Sequence, residues 1–121
     1  MTELNALQLI SAKTAEHYTW GAQCDGWFFL KGDALHVIQE RMPPHTAEVM
    51  HFHRKSGQLF YVLCGELTIG DESTSLTIRA GSAVVVGPNT EHRASNQSDQ
   101  VVEFLVISRP PSHADRCDCE S

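Results

Sequence analysis

The sequence predicts an all-β domain, a barrel or sandwich of short strands, and three observations carry the prediction. Between about positions 25 and 107, segments rich in Val, Ile, Leu and Phe recur every eight to twelve residues. The eight glycines and five prolines of the chain fall largely between those segments, where turns are needed. His51-Phe52-His53 places two imidazoles at i and i+2, the spacing that brings side chains to one face of a strand. A chain of 121 residues, 41% apolar and 20% charged, suits a single compact domain spanning 1–121, with a barrel over about 20–108.

Residues 1–18 stay unassigned: Leu4, Leu7 and Ile10 form a short helical face, yet Leu7, Leu9 and Ser11 also alternate. Strands are expected at about 25–31, 34–42, 48–53, 58–64, 66–70, 74–79, 83–86, 92–96 and 101–107. Arg54-Lys55-Ser56-Gly57 and Gly87-Pro88-Asn89 read as turns. Val84-Val85-Val86 and Val101 to Ile107 show little polar alternation, which implies burial on both faces, as in a jelly-roll barrel packed against a second copy. A homodimer is therefore expected. Arg109-Pro110-Pro111 ends the last expected strand, since consecutive prolines supply no amide donors, and the polar tail 112–121 reads as loose.

The chemistry gathers around the His51-Phe52-His53 segment. On a strand both imidazoles converge on one point, close enough to share an ion about 2 Å from each nitrogen. Phe52 points the other way. Gln58 opens a returning strand, Gln58 to Cys64, and sits beside the histidines; by parity Phe60 shares its inward face while Tyr61 points out. A second strand-turn-strand unit after Gly81 presents His92 and Asn96.

With these residues the chain resembles the cupin superfamily, whose motifs read G-x5-H-x-H-x3,4-E-x6-G and G-x5-P-x-G-x2-H-x3-N. Residues 45–65 and 81–96 match them in spacing throughout. The resemblance implies a double-stranded β-helix, the jelly-roll cupin barrel, with metal ligands on His51, His53, Gln58 and His92 and structural roles for Gly65, Gly81 and Asn96. Four positions depart from the pattern: His45 stands for the first Gly, Gln58 for Glu, Gly87 for Pro and Asn89 for Gly. Asn tolerates positive φ and Gly87-Pro88 still turns, so the second motif keeps its shape.

Gln58 is the departure that touches chemistry. An amide oxygen ligates a metal but brings no charge and serves as no general base. Three imidazoles and an amide suit a divalent transition metal such as Fe, Zn, Ni or Cu better than magnesium or calcium. The rival reading makes the three histidines polar barrel residues, hydrogen-bonded to each other and to Asn96.

His17, His36, His45 and His113 match no ligand position and read as surface or turn residues. Trp20, Trp27, Phe28 and Phe29 pack a core or line a pocket mouth. Of Glu40 and Arg41 only one faces the interior: Arg41 inward implies a carboxylate-bearing substrate, Glu40 inward a replacement for the general base that Gln58 is not. Cys117-Asp118-Cys119 offers two of the four ligands a soft metal needs and reads as a flexible end. No disulfide is assigned among Cys24, Cys64, Cys117 and Cys119.

A net charge of −6 argues against broad contact with nucleic acid or anionic membrane. No apolar run reaches the roughly 18 residues that span a bilayer, and Met1-Thr2-Glu3 lacks the start of a secretory signal, so the cytoplasm is expected. Three functions follow for a small-molecule partner. One is a metal-dependent enzyme of dioxygenase or isomerase type. Another is a small-ligand or metal-sensing module without chemistry, and the last a metal-free, sugar-processing isomerase or epimerase in which the histidines act as acid and base.

Overall fold

The computed structural model describes residues 6–119, and Leu4, part of the unassigned apolar pattern, lies outside them. Twelve strands follow in order: β1 Glu16–Trp20, β2 Cys24–Lys31, β3 His36–Met42, β4 Thr46–Ala47, β5 His51–His53, β6 Gly57–Cys64, β7 Glu66–Gly70, β8 Ser75–Arg79, β9 Ala83–Val86, β10 Arg93–Asn96, β11 Val102–Arg109 and β12 Arg116–Asp118. The segment left unassigned holds no helix among its described residues. It turns at Ser11–Ala15, where two amides return to the Ser11 carbonyl, and then forms β1 antiparallel to β2.

The strands make a six-stranded sheet in the order β1-β2-β3-β11-β6-β9, a four-stranded sheet β4-β10-β7-β8, and the pair β12-β5. Every named pair is antiparallel. Alternation along each strand turns one side of each large sheet inward. Met42, Phe60, Val62, Val86, Phe104 and Val106 from the first form one core with Leu67, Ile69, Ile78 and Ala94 from the second, while Phe28 and Ile38 are buried on the first sheet. Phe104, fully buried on β11 between β3 and β6, belongs to this core, and burying one such ring contributes about 1.5–3 kcal/mol.

The motif departures find a backbone explanation. Gly65 and Gly81 have φ of 81° and 88°, and His45 and Asn89 share that left-handed region at 59° and 61°. His45 thus adopts the conformation for which its motif position specifies glycine, out in solvent, where its ring pairs with Asp99 at 2.8 Å. A Cβ on Gly65 would lie 2.5 Å from the Val101 carbonyl, so that position is closed to other residues on two counts.

The tail contradicts expectation. Arg109-Pro110-Pro111 does end β11, but the chain then turns back and β12 pairs with β5, Arg116 opposite His53 and Asp118 opposite His51. Asp115 anchors the return by accepting hydrogen bonds from the amides of Lys55 and Ser56, both at 2.8 Å. The charged composition that reads as a loose end is the composition of an edge strand facing water.

Candidate metal centre

His51 and His53 leave the same face of β5, as their spacing requires, and both are buried. His92 joins them through an isolated bridge in which the His51 amide donates to the His92 carbonyl and the His92 amide to the His51 carbonyl, at 2.9 and 2.8 Å. The three rings stand 4.5 to 6.0 Å apart between centroids. One nitrogen from each lies within 4.8 Å of the other two.

Two of the rings have a fixed orientation. His51 Nδ1 donates to the Val49 carbonyl and His92 Nδ1 to the Thr90 carbonyl, each at 2.8 Å, which leaves the Nε2 lone pairs free. Burial pushes all three imidazoles below their ordinary pKa, and His53, also beside His51 and His92, falls to about 4. They are neutral at pH 7, the form that binds metals.

Among the described residues, four buried side-chain nitrogens or oxygens have no hydrogen-bond partner, and three of them belong here: His53 Nδ1, His92 Nε2 and Gln58 Oε1. Orphaned buried acceptors are costly, at about 1–3 kcal/mol each, and a cation satisfies such a set together. Gln58 is aimed by its own strand pairing. It lies opposite Ser108, and its Nε2 donates to Ser108 Oγ at 3.1 Å and Ser112 Oγ at 3.4 Å, leaving Oε1 as the free atom. The donor set fits a divalent transition ion, for which imidazole nitrogen is a preferred ligand.

The rival reading of the histidines fails on its partners. Asn96 spends its amide on the carbonyls of Met42, Pro43 and Gln100, and the ring nitrogens that are bonded go to backbone carbonyls.

A cavity of about 60 Å³ adjoins the cluster, walled by Ile38, Glu40, Glu48, Phe60, Val106, Ser112, His113 and Arg116 as well as His51, His53 and Gln58. A larger hollow, about 310 Å³ between Ile10, Glu16, Phe28 and Lys31, is lined by none of His51, His53, Gln58 and His92. Phe60 faces in and Tyr61 out, as parity requires. Of the Glu40–Arg41 pair it is Glu40 that faces in, accepting from the Tyr18 hydroxyl at 2.8 Å, while Arg41 reaches Asp25 outside at 3.5 Å. Glu48 accepts from the Ala94 amide and pairs with Arg116 at 3.3 Å, which ties β12 to the segment carrying His51.

Two histidines read as surface residues are placed otherwise. His36 is buried on the inward side of β3, in step with Ile38, and His113 from the loop before β12 meets it edge-on at 5.8 Å, with Phe28 beside both. Strand parity with Ile38 was the available signal for His36; none existed for His113, whose position depends on the return of the tail. His17 does sit outside, against Asp25 and Trp27. All four cysteines are free: Cys24 is in the core, Cys64 is exposed, and Cys117 and Cys119 are half-buried.

The family model described as "Cupin domain" matches residues 38–108. The chain belongs to the cupins. This cupin is 33% identical over 105 residues to the "H2HPP isomerase" of Bacillus subtilis, an alignment covering 85% of the chain but 43% of that protein. The chain therefore spans less than half the length of that relative. It is 25% identical over 83 residues to the "Oxalate-binding protein" of Thermotoga maritima, covering 64% of the chain and 69% of the relative. Among solved structures, the polyketide cyclase RemF from Streptomyces resistomycificus superposes with a TM-score of 0.81 over 96% of this chain and 87% of that one. At 13% identity that likeness concerns the fold, the double-stranded β-helix.

Proposed function

We propose that this cupin holds one divalent transition metal on His51, His53 and His92, with Gln58 Oε1 as a fourth ligand, and acts as an enzyme on a small molecule bound in the adjoining cavity. The observation that carries the reading is the gathering of one nitrogen from each of His51, His53 and His92 within 4.8 Å of one another, with His53 Nδ1, His92 Nε2 and Gln58 Oε1 buried and without hydrogen-bond partners. A bound metal would act as a Lewis acid, polarising a carbonyl or carboxyl oxygen of the substrate. The chain's own residues do the rest. The Val49 and Thr90 carbonyls hold two imidazoles in the ligating tautomer, Ser108 and Ser112 hold the Gln58 amide, and Phe60 and Val106 exclude water from one side.

An isomerase or dioxygenase chemistry belongs to this reading, and the similarity to an "H2HPP isomerase" favours the former. The second reading, binding without chemistry, is favoured by the similarity to an "Oxalate-binding protein". A homodimer, in a cytoplasmic setting, completes the proposal. Its support is the outer face of the six-stranded sheet, where Val85, Tyr61 and Leu63 are 73%, 38% and 41% exposed beside Leu59, Leu105 and Ile107. Among the described residues no helix is long and apolar enough to cross a membrane.

The test is elemental analysis by mass spectrometry of untagged protein beside a His51→Ala, His53→Ala double variant. Near-stoichiometric transition metal in the first and its loss from the folded second are expected. Equal metal in both, or none in the wild type even after reconstitution, contradicts the proposal.

A further inference from the structure

Glu40 carries a carboxyl in the barrel interior that the metal centre does not use. Its place is built by three strands. Tyr18 on β1 lies opposite Gly26 on β2, and Gly26 lies opposite Glu40 on β3. The Tyr18 ring crosses over Gly26, where any Cβ would run into it, and its hydroxyl reaches Glu40 Oε2 at 2.8 Å. The glycine is thus the gap through which the tyrosine grips the acid.

The charges around the cavity indicate what that acid meets. Three neutral imidazoles and an amide leave the two positive charges of a bound ion uncompensated, because Gln58 stands where the motif has glutamate. Glu48, 3.9 Å from His51 Nδ1, is already paired with Arg116, and Arg116 also reaches Asp118 at 2.7 Å. A cation so placed attracts an anion into the cavity, and about 60 Å³ admits roughly two water volumes, the size of a carboxylate group. An ionised Glu40 would repel that anion. Protonated, it offers an O–H instead.

We propose, resting on the metal centre proposed above, that the cavity is a carboxylate pocket in which Glu40, aimed by Tyr18, donates its O–H to a small organic acid anion held at the metal. Burial, and after it the charge of Glu48, pushes the Glu40 carboxyl up to about 8, against the opposing pull of the Tyr18 hydrogen bond and Arg116. The groups sharing its surroundings are Tyr18 from β1, Glu48 ahead of β5, His51 and His53 from β5, His113 ahead of β12 and Arg116 from β12. Tyr18 is the positioning residue: its own ionisation is driven far up by burial and by Glu40, so it stays a donor across the working range.

The test is calorimetric titration of oxalate into zinc-loaded full-length protein, freed of excess metal, between pH 6.5 and 9.5, with zinc content measured on every sample. Oxalate affinity is expected to fall at least tenfold in the wild type across this range as rising pH ionises Glu40. Glu40→Gln, which keeps a neutral donor, should bind at every pH and lose that fall. Tyr18→Phe, by removing a bond that favours the ionised acid, should move the fall to higher pH. Absence of oxalate binding in a zinc-containing wild type overturns the proposal. So does a Glu40→Gln variant that loses affinity with pH as the wild type does, the result expected if deprotonation of a metal-bound water displaces the anion. If no zinc is retained but oxalate binds with the Glu40-dependent profile, the metal reading fails while the pocket survives without its ion.

Discussion

Gln58 is the residue on which the proposed metal chemistry turns, and its hydrogen bonds fix the amide in place. Ser108 and Ser112 engage the NH2 group, so the buried oxygen is left without a hydrogen-bond partner. Gln58→Glu adds a negative charge at the centre and should raise affinity for zinc by at least about tenfold in a competitive chelator titration. Unchanged affinity would place Gln58 outside the coordination sphere. At this scale the sequence was informative where parity alone decides, as for His51, His53 and Phe60. For Glu40 the parity shared with Ile38 and Met42 was an available signal; what the sequence did not show is the Tyr18 hydroxyl that reaches it from β1, in the segment whose alternation and helical spacing were equally good.

Strand β12 shows how an element escapes notice when its composition is that of a loop. Only three residues long, two of them charged, it has no apolar alternation to announce it; its stability comes from pairing with β5 and from Arg116 reaching Glu48. Because Glu48 is nearly buried and half its hydrogen bonding comes from Arg116, Arg116→Ala should destabilise the fold by about 1–3 kcal/mol in urea unfolding and weaken metal retention through the segment that carries His51. A variant as stable as wild type would mean that water replaces the guanidinium and that β12 is not a brace. The longer elements were legible from their runs of apolar and β-branched residues; within β11, Phe104 and Val106 alternate with Leu105 and Ile107, and the structure buries the first pair more deeply.

Across the whole molecule, that same apolar run has two sides and a single chain covers one of them. Val101 to Ile107 and Val84 to Val86 read as doubly buried, yet Val85 is 73% exposed. Val85→Lys is therefore expected to convert a dimer into a monomer in sedimentation analysis, and a wild type that sediments as a monomer would remove the dimer from the account. Stability should also depend on pH in a way the titrating groups dictate. In metal-free protein the histidines, lowered by burial, bind fewer protons folded than unfolded, so stability is lost as pH falls below about 6.5 towards the His53 value of about 4. Glu40 has the opposite sign: raised to about 8, it binds its proton more tightly when folded, so stability falls as pH climbs towards 8, by up to about 1.4 kcal/mol per pH unit. Urea midpoints for wild type and Glu40→Gln between pH 6.5 and 9 separate the two, since the variant should be flat there. The barrel, the two strand-turn-strand units and the histidine cluster were thus readable from spacing, while the pairing of β12 with β5 and the grip of Tyr18 on Glu40 depend on contacts between distant segments.

The measurement that tests the central claim most directly is anomalous diffraction at the metal absorption edge from crystals of the metal-loaded protein. The account predicts one strong peak about 2 Å from a nitrogen of each of His51, His53 and His92 and from the Gln58 amide oxygen. A peak elsewhere, at Cys117 and Cys119 for example, or none at the histidines in crystals shown to contain the metal, would contradict it.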